Sequence, residues 1–318
     1  MSQPETGKPT NTTESIPSKT PRLGFAMLSH RPPGKVFMKL LERLRQFPNA
    51  EIVLHHDYNQ SNFPEEVIRE FNIRVLKNYR TTKWGHVSKV PATLDVFTEL
   101  YNTEPPVDWF ITMSPNCYLV RSPQEILDFL AHAQADVYME QDPIIARSPT
   151  VARFHYKTLY TRPWAVMPFI SRHLALYWRS LRYPVSRADK PFNDQYKPFC
   201  GSDWYMMNRK AMKQVLDADL YNHPTVPYIS YVNSFPDRNA SPIEIIIQSF
   251  IANNKTLKVD TDFHRYIDWK DAIEWHPNPL TMRHFDAIAK STALFARKFT
   301  DSESMELIER IDRELIKG

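Results

Sequence analysis

Between Leu23 and Met139 the chain alternates two hydrophobic periods, and this restricts its fold more than any other feature. Short apolar runs at Leu23–Leu28, Glu51–His56, Ile73–Leu76, Trp109–Met113 and Asp136–Met139 read as strands. Between them Lys35–Arg45, Pro64–Phe71, Val87–Leu100 and Ser122–His132 carry helical spacing, with Val36, Phe37, Leu40, Leu41 and Leu44 on one face of the first. Alternating strands and helices with short connections predict an α/β fold, a mostly parallel sheet with helices on both faces. Ligands of such sheets lie at the carboxyl ends of the strands.

The pattern then changes. Residues 140–200 are basic, aromatic and proline-bearing and read as an insertion over the sheet, with helices expected around Val151–Tyr160 and Ile170–Leu181. Asp203–Leu216 reads as a strand followed by a helix, and Pro242–Asn253 as a helix with Ile245, Ile246, Phe250 and Ile251 inward. Thr300-Asp301-Ser302-Glu303 has capping-box spacing and should open a C-terminal helix with Met305, Ile308, Ile311 and Leu315 on one stripe. The division expected is a disordered tail over 1–21, rich in Pro, Ser and Thr, a catalytic domain over 22–299 and a helix over 300–318.

Glycine usage excludes several functions. The chain has 6 glycines, and Gly7 and Gly318 fall in the expected tails. Gly24, Gly34, Gly85 and Gly201 are too scattered to form GxGxxG or GxxxxGK[ST], which argues against a dinucleotide-dependent dehydrogenase, a P-loop NTPase and a protein kinase. A phosphorylated ligand would therefore be held by cationic side chains. A net charge of +4 is too mild for a nucleic-acid partner but suits an anionic small molecule. The 2 cysteines, Cys117 and Cys200, make neither a disulfide framework nor a zinc site. No apolar run reaches the ~18 residues of a transmembrane span, and 1–20 lacks a signal-peptide core. The expectation is a soluble cytoplasmic protein, or one peripheral to a membrane.

Several segments concentrate chemistry. His55-His56-Asp57 ends a strand, where α/β sheets bind ligands, although strand-end capping explains it equally well. Lys83-Trp84-Gly85-His86 precedes a helix, as does Gly201-Ser202-Asp203-Trp204; an indole beside a carboxylate suits a sugar, and equally a core tryptophan beside a capped helix. Ser241-Pro242-Ile243-Glu244 begins like a helix, and Glu244 in its first turn is a candidate general base or the closing residue of a capping box. Arg265-Tyr266-Ile267-Asp268-Trp269 and His276-Pro277 lead towards Leu294-Phe295-Ala296-Arg297-Lys298-Phe299. There two adjacent cations sit on an apolar frame suited to gripping a phosphate or diphosphate; alone, they also read as surface side chains snorkelling to water. Metal signals are weak. Asp260-Thr261-Asp262 spells DxD but comes long after the strand where that motif belongs, Asp217-Ala218-Asp219 looks solvated, and the 11 histidines show no HExxH spacing.

Taken in order, these segments resemble the core-2/I-branching β-1,6-N-acetylglucosaminyltransferase and peptide O-xylosyltransferase family, glycosyltransferase family 14. The likeness runs from about Leu23 to Phe299. Leu54-His55-His56-Asp57 resembles that family's IHxD strand end, Trp84–Ser88 its WGxxS, and Asp108–Ser114 its DWxxxLS. Gly201–Trp204 with Arg209 resembles GSxW…R, Ser241–Glu244 resembles SPDE, and Ile267–Trp269 with Phe295–Phe299 resembles IDW…FARKF, the most specific element. The resemblance implies a GT-A-like (Rossmann-like) fold and an inverting, metal-independent enzyme without a cofactor. Its implied partners are a UDP-sugar donor, with GlcNAc or xylose as the sugar, and a carbohydrate or glycosylated acceptor.

By the same resemblance Glu244 is the catalytic base, and Arg297 and Lys298 neutralise the UDP diphosphate. His55, Asp57 and Trp84 lie near the donor's uridine. Ser202, Asp203, Trp204, Glu140, Asp268 and Trp269 lie on the sugar and acceptor side. Two departures bear on donor and acceptor: Ser114-Pro115-Asn116-Cys117-Tyr118-Leu119 stands where the family has Ser-Gly-x-Asp-x-Pro, and Ile243 replaces an acid. They motivate a second reading, a UDP-sugar- or glycan-binding protein of the same fold without catalysis. A third reading is a metal-dependent transferase using Asp260 and Asp262.

Overall fold

The computed structural model describes residues 20–143, 156–158, 182–184, 197–218, 220, 242–270 and 276–316. Its strands are β1 (Leu23–Ser29), β2 (Glu51–His56), β3 (Arg74–Val75), β4 (Trp109–Met113), β5 (Cys117–Leu119), β6 (Val137–Met139) and β7 (Asp142–Pro143). They continue with β8 (Tyr156–Thr158), β9 (Arg182–Pro184), β10 (Phe199–Cys200), β11 (Tyr205–Asn208), β12 (Val259–Asp260), β13 (Arg265–Ile267) and β14 (Phe295–Arg297). The helices are α1 (Lys35–Leu44), α2 (Glu65–Glu70), α3 (Lys89–Tyr101), α4 (Pro123–Ala131), α5 (Arg209–Asp217), α6 (Ile246–Asn253), α7 (Phe285–Lys290) and α8 (Met305–Glu314).

The main sheet has 7 strands in the order β12-β6-β11-β4-β1-β2-β3. Neighbours run parallel except at β11, which is antiparallel to both β4 and β6. The expected α/β sheet is thus present, with one reversed strand. Alternate side chains feed two cores, as the period of 2 in a strand requires. Phe25 and Met27 of β1, Ile52 and Leu54 of β2, and Ile111 and Met113 of β4 enter one core, shared with α1, α4, α7 and α8. Ala26, Val53 and Phe110 enter the other, shared with α3, α5 and α6. A second sheet, β13-β14-β5, joins the first core, with β14 in its middle.

Three local expectations are corrected. The segment from Pro242 is not one helix: Pro242–Glu244 forms a 3₁₀ turn, Ile245 leaves helical geometry at φ −135°, and α6 starts at Ile246. Glu244 therefore ends a separate turn and does not sit in the first turn of an α-helix. Tyr156–Thr158, expected within a helix, is a strand paired with Arg182–Pro184. The capping box at Thr300 does not form, because α8 starts five residues later and Asp301 caps a different helix. Its carboxylate accepts from the main-chain N–H of Lys35 (3.1 Å) and of Val36 (2.8 Å) at the start of α1. A Cβ on Gly34 would lie 2.1 Å from Asp301 Oδ2, so this cap needs glycine there.

The C-terminal helix is consequently part of the main core, where Leu307, Ile308, Ile311 and Ile316 are buried. Met305 and Leu315, expected on its stripe, are partly buried against that core. Asp312 on α8 accepts from Arg43 of α1 (3.0 Å) and from the Tyr118 hydroxyl of β5 (2.9 Å). Burial and that neighbouring carboxylate push the Tyr118 hydroxyl far above its ordinary pKa. The ends of the expected insertion meet, since β7 pairs antiparallel with β10. Its Ile170–Leu181 helix, the tail over 1–19, Ser241 and Asp219 lie outside the described residues. Replacing Asp301 with Ala should destabilise the fold by about 1 kcal/mol, the usual cost of a lost helix cap. A urea titration checks this, and an unchanged midpoint would exclude the long-range cap.

Candidate active site

The carboxyl edge of the sheet collects the ends of β1, β2, β4 and β6. Because β11 runs the other way, it is the segment before it, Gly201–Trp204, that reaches the same edge. There Gly201 passes against the end of β6 so closely that a Cβ would stand 1.9 Å from the Glu140 carbonyl oxygen. Its N–H donates to the Glu244 carbonyl (3.0 Å), and the N–H of Ser202 donates to Glu140 Oε2 (2.9 Å). Glu140, Ser202 and Glu244, far apart in sequence, are neighbours through two main-chain bonds.

Asp203 and Trp204 extend the site towards cations. Lys89, at the start of α3, places Nζ 2.8 Å from Asp203 Oδ2. Burial alone would raise the Asp203 pKa, but Lys89 and Arg297 outweigh it and hold the carboxyl below the ordinary range. The Arg297 guanidinium lies 4.3 Å from the centre of the Trp204 ring, a cation–π contact. Arg265 is buried between Trp204 (5.6 Å) and Phe295 (5.0 Å), donates to the Thr112 carbonyl (2.9 Å), and is paired with no carboxylate among the described residues. Burial lowers the pKa of Lys298, assisted by Arg297 and Arg31.

The cations are held firmly by their neighbours in the second sheet. Phe295–Arg297 lies between β13 and β5, the Lys298 carbonyl accepts from Leu280 (2.8 Å), and Phe299 exchanges bonds with Asn116 (2.9 and 2.8 Å). Cys117, at the position of the family's acid, is the register partner of Arg297 and touches Arg265. A carboxylate there would neutralise this pair of guanidinium groups; a thiol does not.

On the next strands, Asp57 Oδ2 accepts from the N–H of Thr82 (2.8 Å) and from Gln60 (2.6 Å), and Oδ1 from the N–H of Asn59 (3.1 Å). Burial opposes ionisation, and these donors overcome it, so the pKa of Asp57 is lowered. His55 Nε2 accepts from the N–H of Arg80 (2.9 Å). Together they hang the loop before Trp84 on the end of β2. Trp84 is 57% exposed and packs on His276, 5.2 Å between ring centres. Trp269 is 52% exposed. Asp268 is engaged in closing its own loop: it accepts from the N–H of Lys270 (3.0 Å), from Asn278 (3.1 Å) and from His284 (3.1 Å).

Asp260 and Asp262, the DxD pair, cap a turn, with Asp260 Oδ1 taking the N–H of Asp262 (3.0 Å) and Asp262 Oδ1 that of His264 (2.9 Å). No group of 3 or more His, Cys, Asp or Glu among the described residues is arranged to hold a metal. A cavity of about 430 Å³ opens at the opposite, amino edge beside Asp108, Asp136, Lys210 and Lys258. Of its two acids, Asp136 is saturated by Asn208, Lys210 and the N–H of Lys258, and Asp108 accepts from the main-chain N–H of Arg22 (2.7 Å), so the cavity's polar lining serves the fold.

Sequence reasoning assigned no role to Lys89, Arg265, Arg31 or Gln248. Gln248 was detectable in principle, as a polar residue inside the apolar run Ile245–Ile251. Lys89 carried no local signal, because its partner Asp203 is 114 residues away.

Gly201→Ala should force apart β6 and the Gly201–Ser202 turn, lowering stability by about 1–3 kcal/mol; a melting temperature equal to wild type would contradict the close approach. His30, His55 and His56 are each pushed by burial below the ordinary 6.5, so protonation favours the unfolded chain. Their contribution to stability is complete above about pH 6.5 and is lost as the pH falls below it. Asp57, Asp203 and Asp268, held below 3.8, add a loss only at lower pH. Urea midpoints at about pH 7.5 and about pH 5.5 should therefore differ, with the acidic one lower.

Comparison with known proteins places this geometry in context. The chain is 23% identical over 311 residues to beta-glucuronosyltransferase GlcAT14B of Arabidopsis thaliana, covering 93% of this chain and 66% of that protein. It is 21% identical over 319 residues to xylosyltransferase 1 of Rattus norvegicus, covering 95% of this chain and 36% of that protein. It thus spans just under two thirds of the plant relative and about a third of the animal one. This kinship corrects the expectation of a cytoplasmic protein, since these relatives are Golgi-type enzymes, typically membrane-anchored or lumenal. Composition misleads here because sorting signals, not the charge or cysteine content of a fold, set the compartment. Among the described residues no helix is long and apolar enough to cross a membrane. A model of the core-2/I-branching enzyme family matches residues 23–289, and the chain belongs to that family of glycosyltransferases.

Proposed function

We propose that the protein is an inverting, metal-independent glycosyltransferase that moves a sugar from a UDP-sugar to a hydroxyl of a glycan or other acceptor. The observation that carries this reading is the convergence of Glu244, Asp203 and Arg297 on one short segment. Gly201 bonds Glu244, Asp203 is ion-paired, and Trp204 lies against Arg297. In one displacement Glu244 takes the proton of the acceptor hydroxyl, the oxygen attacks the anomeric carbon, and the bond to the UDP oxygen breaks on the opposite face. The negative charge then developing on UDP meets Arg297 and Lys298, with buried Arg265 adding to the field.

Charge held in place before the reaction can contribute several kcal/mol in a site poor in water. A chain without a glycine-rich phosphate loop can use such cations where other enzymes use a divalent ion, and Asp260 and Asp262 are already engaged as turn caps. His55, Asp57 and Trp84 would flank the uridine, while Ser202, Asp203, Trp204 and Glu140 would meet the sugar and acceptor. Asp268 would act by holding its loop, which presents Trp269 to the acceptor. UDP-glucuronate joins UDP-xylose and UDP-GlcNAc as a donor to test, because of the glucuronosyltransferase kinship.

Thermal unfolding with each donor in turn identifies the one that binds, since a bound ligand raises apparent stability. With that donor, Glu244→Gln should lower turnover about 10²–10⁴-fold and leave UDP affinity unchanged. Lys298→Ala should weaken UDP binding roughly tenfold or more by calorimetry, and EDTA should leave turnover intact. UDP binding without any UDP release would leave a sugar-nucleotide-binding protein instead.

A further inference from the structure

α6 turns an apolar side to the core, with Ile246, Ile247 and Ile251 buried, yet Gln248 is buried among them at 0% exposure. A buried amide is costly unless it is bonded. Its Nε2 donates to two successive carbonyls, those of Gly201 (3.2 Å) and Ser202 (2.8 Å). The main-chain carbonyl of Gln248 accepts from Gln141 Nε2 (3.2 Å), next to Glu140 in sequence. Ser249, the following residue, holds Phe199 by both its N–H (3.0 Å) and its carbonyl (3.1 Å).

Every main-chain polar group of Gly201 and Ser202 is therefore engaged: the two N–H groups by Glu244 and Glu140, and the two carbonyls by Gln248. An amide is well matched to this task, because its NH₂ has two donors for two adjacent acceptors. A carboxylate would repel both oxygens, and a hydroxyl on a shorter side chain has one proton to give. Gln248 Oε1 has no partner among the described residues, so the side chain is not there to optimise the helix packing.

We propose that Gln248 is a positioning residue, whose amide locks the Gly201–Ser202 turn in the register that sets Glu244, Glu140 and Asp203 side by side. This rests on the reading of Glu244 as the base. Gln248 touches no reacting atom and acts through the turn it holds. The 3₁₀ turn bearing Glu244 is separated from α6 by Ile245 alone, so the base and the amide that aligns its surroundings lie close together on one short segment.

Gln248→Leu removes both donors at similar volume. It should raise hydrogen exchange at the Gly201 and Ser202 amides at least about tenfold, and lower kcat for UDP release roughly 10- to 100-fold. The Kd for UDP should stay within about twofold, because Arg297 and Lys298 are fixed by the second sheet and not by this turn. Unchanged exchange at these amides overturns the inference, as does unchanged kcat in a preparation where Glu244→Gln is inactive. If Glu244→Gln itself keeps its turnover, the reading of the base fails, while the exchange result still judges Gln248. Should Gln248→Leu not fold, Gln248→Glu decides the matter. Ionised, it repels the carbonyls; protonated, it can donate to one of them, so its kcat relative to wild type should recover as the pH is lowered. A flat ratio overturns the inference.

Discussion

Gly201 lies against the Glu140 carbonyl with no room for a side chain, and the arrangement of the candidate site depends on that contact. It works only because β11 is reversed within an otherwise parallel sheet. A parallel strand would bring its following residues to the carboxyl edge; the antiparallel one brings its preceding residues, Gly201–Trp204. From there Ser202 reaches Glu140, Asp203 reaches Lys89, and Trp204 lies under Arg297. A single close approach of two backbones thus sets the spacing between carboxylates and cations.

The electrostatics follow from where the opposite charges are missing. Lys89 and Asp203 neutralise each other. Arg265 and Arg297 share the space around Trp204, and the register position facing Arg297 is held by Cys117. A buried guanidinium without a carboxylate is costly in the free protein and favourable once an anion arrives. The second sheet maintains this imbalance, because β14 is bonded on both sides and Lys298 and Phe299 are tied to Leu280 and Asn116. The aromatic frame of Phe295 and Phe299 is fully buried, which keeps the two adjacent cations from relaxing apart.

Much of this architecture was legible in the chain. The runs at Leu23, Glu51, Trp109 and Asp136 became strands of the main sheet, and the helices between them formed within a few residues of their expected ends. Local signals failed where a polar side chain works at a distance. The box at Thr300 reads as a cap for the helix that follows, but Asp301 instead closes α1, joining residues 265 apart in sequence. The run from Pro242 reads as one helix because its apolar spacing continues through Ile245, where the backbone leaves the helical region. For the site, the acid at Glu244 and the cations at Arg297 and Lys298 stood out in sequence, whereas Gln248 and Lys89 did not.

By itself the sequence determined which faces are apolar, how strands and helices alternate, and which segments concentrate acids, cations and indoles. Those are properties of neighbouring residues, and periods of 2 and 3.6 express them locally. The tertiary structure decided which carboxylate stands beside which cation, which acids are consumed in caps and loops, and which guanidinium groups are ion-paired with no carboxylate among the described residues. Such pairings join residues brought together by the sheet order, and a reversed strand or a one-residue change of register would pair them differently. Burial then gives each pairing its weight, because the strength of a charge or an amide depends on what surrounds it.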